Sequence, residues 1–131
     1  MDIYGIAPLI QVFDMPAALH FYRDILGFKV TGSSGAGDDV DWIMMELNGA
    51  ILMMNTTHEK AKRPPQADAT RNFGHGDVTL YFDCHDLDIA YKHLTNSGVN
   101  LKQPFITIYN WRALHFRDPD NYQICLHHPL S

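Results

Sequence analysis

The chain has 131 residues, 46% of them hydrophobic and 11% aromatic, which suffices for one compact domain with an apolar core. No run approaches the roughly 18 apolar residues of a membrane span, and the formal charge of −5 disfavours a phosphate backbone as partner while suiting a cationic or neutral ligand. Met1-Asp2-Ile3-Tyr4 lacks the basic-then-apolar order of a signal peptide, and Cys84 and Cys125 have no CxxC spacing, so a cytoplasmic protein with reduced thiols and no nucleic-acid or membrane partner is expected.

In chain order, residues 5–13 alternate as a strand and stop at Asp14, a helix cap. Ala18, Phe21, Tyr22, Ile25 and Leu26 then recur at helical spacing, with Pro16 in the first turn and Gly27 at the end. A second strand begins at residues 28–31. The stretch 32–39 holds three glycines but no following Lys, so it reads as a hairpin connection rather than a phosphate loop. Strands at 41–47 and 50–55 flank Asn48-Gly49, a strong hairpin signal. Residues 56–76 form a polar stretch with Pro64-Pro65 and the basic Lys60, Lys62 and Arg63, read as a linker or as a lid over a pocket, with His75 a loop residue.

From Asp77 the pattern restarts. Val78, Leu80 and Phe82 alternate with Thr79, Tyr81 and Asp83, and Cys84 follows the core-facing parity. Asp86 caps a helix carrying Ile89, Ala90, His93 and Leu94, which Gly98 ends. Strands are expected around 99–101 and 105–109, then a hairpin over 112–128 closed by Asp118-Pro119-Asp120-Asn121. Asn48-Gly49 and Asp120-Asn121 stand 72 positions apart, as do Asp14 and Asp86, so whole supersecondary units repeat. The expectation is an α+β fold: a single domain, 1–131, of two βαβββ modules at about 5–55 and 77–128, joined by the polar linker 56–76.

Phe21-Tyr22-Arg23-Asp24-Ile25-Leu26-Gly27-Phe28 in the first module and Arg117-Asp118-Pro119-Asp120-Asn121-Tyr122 in the second resemble the vicinal oxygen chelate superfamily of glyoxalases, bleomycin-resistance proteins and extradiol dioxygenases. The resemblance covers residues 6–128. Asn121 departs from the family's usual Gly, though Asn also accepts positive φ. The family likeness implies that each module curls a mixed sheet into half of a cup. It also implies that metal-using members place ligands at the positions of Ala7, Met53, Thr79 and Cys125. Since none of these is His or a carboxylate, the likeness is closest to the metal-free bleomycin-resistance branch, with no cofactor and no metal expected.

That branch implies a homodimeric, antibiotic-resistance-like protein that binds a small aromatic or cationic molecule and is not expected to be an enzyme. The alternative is a lyase, isomerase or dioxygenase of the same superfamily with a displaced metal site, for which Gln11, Glu46, His115 and His127 are the candidates, Glu46 and His115 being read as lying in adjoining strands. The ligand-binding residues expected are Gln11, Trp42, Met53, Thr79, Tyr81, Tyr109, Trp111 and Cys125. Aromatics and methionines from separate strands are the material of an apolar pocket wall. No residue is assigned a catalytic role.

Overall fold

A computed structural model of the chain describes residues 1–130. The backbone divides into two compact units, Met1–Ala67 and the remainder from Asp68.

The first unit runs β1 (Leu9–Val12), α1 (Met15–Leu19) continuing into a π-helical turn (His20–Ile25), β2 (Lys29–Ser33), β3 (Trp42–Leu47) and β4 (Ala50–Thr56), followed by a short 3₁₀ turn (Lys60–Lys62). Its sheet has the order β1-β4-β3-β2, with β1 parallel to β4 and the other pairs antiparallel. Asp14 starts the helix by accepting from the Ala17 N–H at 3.2 Å, which satisfies one of the orphan donors of the first turn. Asn48 and Gly49 both take positive φ, 50° and 90°, as the β3–β4 hairpin turn requires. One face of the sheet is buried through Ile10, Val12, Ile43, Met45, Leu52 and Met54, matched by Met15, Ala18, Leu19, Phe21 and Tyr22 of the helix. Each fully buried large apolar side chain of this set contributes about 1.5–3 kcal/mol. The opposite face stays partly open.

The second unit runs α2 (Ala69–His75), β5 (Thr79–Asp83), α3 (Leu87–Asn96), β6 (Phe105–Ile106), β7 (Trp111–Arg117) and β8 (Gln123–Pro129). Its order, β5-β8-β7-β6, with β5 parallel to β8, repeats that of the first unit. Leu114, Phe116 and Ile124 are buried on one face with Leu87 and Leu94 of α3. Asp86 accepts from the Ile89 N–H at 3.0 Å, and Gly98 closes the helix at φ 86°.

Five expectations give way. Residues 56–76 are not structureless, because Asp68 caps α2 by accepting from the Thr70 and Arg71 N–H groups. His75 is therefore helical, and its Nδ1–H donates to the Asp120 carbonyl at 2.8 Å while its ring stacks on Tyr122 at 4.2 Å. No strand forms at 99–101, since the Val99 N–H still bonds back to the Leu94 carbonyl of the helix end, and the strand expected over 105–109 is cut to Phe105–Ile106 by the turn at Thr107–Asn110. Cys84 is half-buried, not core.

Candidate functional site

In the second unit, strand register puts Thr79, Tyr81, Gln123, Cys125, His127, His115, Ala113 and Trp111 on one face, opposite the face covered by α3. The hairpin turn that fixes this register is held by a buried carboxylate. Asp118 Oδ1 accepts from the backbone N–H groups of Asp120 and Tyr122, each at 2.9 Å, and Asn121 adopts φ 72°.

Two arrangements stand out on this face. Thr79 Oγ1 donates to Gln123 Oε1 at 3.3 Å, and Gln123 Nε2 donates to His115 Nδ1 at 3.0 Å. The amide can only donate through its nitrogen, so His115 accepts at Nδ1 and its neutral form carries the proton on Nε2. Burial, with the Arg117 charge adding to it, holds the His115 pKa below the ordinary histidine value, so the ring is an uncharged donor. Phe105 meets the same ring edge-on at 5.1 Å. Beside this chain, the His127 ring lies 4.5 Å from Trp111 and 5.0 Å from Tyr81, and Tyr109 lies 6.5 Å from Trp111. His127 Nδ1 is buried without a hydrogen-bond partner among the described residues.

A cavity of about 580 Å³ opens at the edge of this sheet, with His115, Gln123 and Phe105 in its lining. Lys102 and Arg117 line it too, and no carboxylate does. Arg117 Nη1 donates to the carbonyls of Gly76 and Asn121 rather than to an acid. The charge lining this cavity is therefore opposite in sign to the net charge of the chain, and two cations at a cavity edge repel another cation.

In the first unit the open face carries Leu9, Gln11, Trp42, Met44, Met53 and Asn55 side by side. Trp42 reaches this face over Gly32, where a Cβ would come within 3.2 Å of its ring, at a register irregularity between Val30 and Gly32. Gln11, Trp42 and Met53 are thus gathered on one sheet, and Thr79, Tyr81, Trp111 and Cys125 on the other, with Tyr109 in the turn before β7.

The inherited metal positions do not fit a metal. Ala7 has no donor, Met53 offers only a thioether, and Thr79 Oγ1 is engaged with Gln123. Cys125 is 1% exposed and burial pushes its thiol up to about 11, whereas a metal binds the thiolate. One premise of the displaced alternative is corrected. Glu46 and His115 lie in different sheets rather than adjoining strands, and His115 Nδ1 is occupied. The parts that sequence reasoning missed are Gln123 and the cavity cations Lys102 and Arg117. Gln123 was recoverable, because the Asp118–Asn121 turn sets Arg117 opposite Gln123 and so His115 opposite Cys125.

No helix among the described residues is long and apolar enough to cross a membrane. No curated protein sequence matches the chain. Among solved structures it is similar to a glyoxalase/bleomycin resistance protein/dioxygenase superfamily member from Sphaerobacter thermophilus, at 26% identity and TM-score 0.67 over 96% of this chain and 97% of that one. It is also similar to an integron cassette protein from the mobile metagenome of V. cholerae, at 24% identity and TM-score 0.68 over 100% and 98%. A virulence protein from Salmonella typhimurium shares the fold at 15% identity and TM-score 0.71 over 99% and 100%. The family model described as Glyoxalase/Bleomycin resistance protein/Dioxygenase superfamily matches residues 6–126, and the chain belongs to that superfamily.

Proposed function

We propose that this protein binds a small planar aromatic molecule bearing an acceptor or anionic group, without metal chemistry at the inherited positions. The observation that carries the reading is the pairing, on one sheet face, of the Trp111–His127–Tyr81 ring cluster with a neutral His115 donor held by Gln123. Rings supply stacking worth about 0.5–1.5 kcal/mol per contact beyond the area they bury. His115 Nε2–H supplies direction, and Lys102 and Arg117 favour a carboxylate or phenolate on the ligand over an ammonium. The biological form we assign is sequestration of an aromatic compound, as in drug resistance, because no nucleophile or metal-bound water is supported at the site.

The reading extends to a homodimer. The edge strand β6 has only two residues, and Ile106 within it and Ile108 and Tyr109 just after it are exposed, which supports burial against a second copy. Light scattering at twice the chain mass of 14.9 kDa is the expected result.

The test of binding is a fluorescence titration of Trp42→Phe, in which Trp111 is the single tryptophan, against paired aromatic carboxylates and aromatic ammonium compounds of the same ring. Quenching by the carboxylates and not by the ammonium compounds is expected. Quenching by the ammonium partners alone, or by neither, overturns the proposal.

A further inference from the structure

The chain contains one convergence of metal-binding side chains that the ligand face does not use. Asp83 ends β5, His85 lies between β5 and the Asp86 cap of α3, and His128 stands on β8. Asp83 Oδ1 lies 3.1 Å from His128 Nδ1, and Asp83 Oδ2 lies 3.3 Å from His85 Nε2. All three donor atoms fall within 4.8 Å of one another, the only such grouping of three or more His, Cys, Asp or Glu among the described residues. None of the three occupies an inherited ligand position.

We propose that Asp83, His85 and His128 form a binding site for a divalent late first-row cation of the zinc or nickel class. With metal–ligand bonds near 2.0–2.2 Å, neighbouring donors in a tetrahedral or octahedral shell stand about 3.0–3.5 Å apart. The two carboxylate–imidazole separations match that spacing, one to each oxygen of Asp83, so a small side-chain adjustment must bring the carboxylate and the two imidazoles into one shell. Two imidazoles and one carboxylate suit these cations better than calcium or magnesium, which want oxygen alone.

The backbone frame is held at both ends. The Cys84 N–H donates to the His127 carbonyl at 3.0 Å, and Asp86 caps the following helix, so the chain from Asp83 to Asp86 is fixed while the side chains remain accessible. The ring centroids of His85 and His128 are 4.4 Å apart. A dication bound by the two neutral rings and the carboxylate satisfies all three donors together. Side-chain exposures of 78% for His85 and 65% for Asp83 make this a surface site with coordination positions left to water.

The test is calorimetric titration of chelator-treated full chain with zinc and with nickel chloride, compared with Asp83→Asn, His85→Ala, His128→Ala and, as an unrelated exposed histidine, His20→Ala. One equivalent per chain is expected. Loss of a direct ligand should weaken binding by at least the roughly 10–100-fold that follows loss of an outer-shell partner, with His20→Ala unchanged. Circular dichroism and thermal melting confirm that each variant is folded. Absence of binding by the wild-type chain at millimolar metal, or binding that survives Asp83→Asn and His128→Ala in folded protein, overturns the proposal. The ligand face is tested separately, in the presence of chelator, so failure of either claim leaves the other standing.

Discussion

Replacing Asp118 with Ala is expected to destabilise the protein severely, although the residue touches no ligand. Asp118 is 6% exposed and its Oδ1 accepts from two backbone N–H groups, those of Asp120 and Tyr122. Alanine leaves both donors buried and unpaired, at about 1–3 kcal/mol each, so the loss should be about 2–6 kcal/mol. Asparagine keeps an acceptor oxygen at the same place and should cost less, by forfeiting only the charge-assisted part of the two bonds. Urea unfolding followed by circular dichroism reads this directly. With a slope near 2 kcal/mol/M, the Asp118→Ala midpoint should fall by about 1–3 M. A loss below 1 kcal/mol for Asp118→Ala, or equal losses for Ala and Asn, would refute the view that this carboxylate organises the hairpin carrying His115 and Gln123.

Three further outcomes are expected. Trp111→Ala should weaken an aromatic carboxylate by about 2- to 12-fold, the equivalent of one ring contact at 0.5–1.5 kcal/mol, in a variant that still folds because Trp111 lies outside the buried core; calorimetry checks it. His115 has a folded pKa below its ordinary 6.5, so its contribution to stability is complete above 6.5 and is lost as pH falls through the folded value. The pH dependence of urea midpoints should therefore be shallower on the acid side in His115→Gln than in wild type. Cys125, with its thiol pushed up to about 11 and 1% exposed, should resist iodoacetamide at pH 8 in native protein and react once urea unfolds it, as mass spectrometry would show.

Turn and cap chemistry was legible in the sequence because it is local. Asp14 and Asp86 cap their helices, and Asn48, Gly49 and Asn121 take the positive φ that their turn positions demand. The α2 helix was not legible, since Ala69–His75 buries no side chain and has no periodic apolar face to read. It is held by its Asp68 cap and by tertiary bonds, among them Asn121 Nδ2 donating to the Asn72 carbonyl at 2.7 Å, which link residues 49 positions apart. The candidate face divides the same way. The ring residues could be picked out by strand parity, whereas the Thr79–Gln123–His115 chain depends on the parallel β5–β8 register, which no local pattern encodes. The cavity cations were hidden for a related reason: net charge averages over the chain, whereas the cavity lining carries Lys102 and Arg117 and no carboxylate.

The most direct measurement is a heteronuclear NMR titration of chelator-treated protein with an aromatic carboxylate such as 2-naphthoate, following the histidine ring signals and the Trp111 indole N–H. Saturable shifts should concentrate on His115, His127, Trp111 and Tyr81, with the His115 ring keeping its proton on Nε2 throughout. Shifts confined to residues outside this face, or binding that appears only when metal is restored, would contradict a metal-free aromatic-binding site on the second sheet.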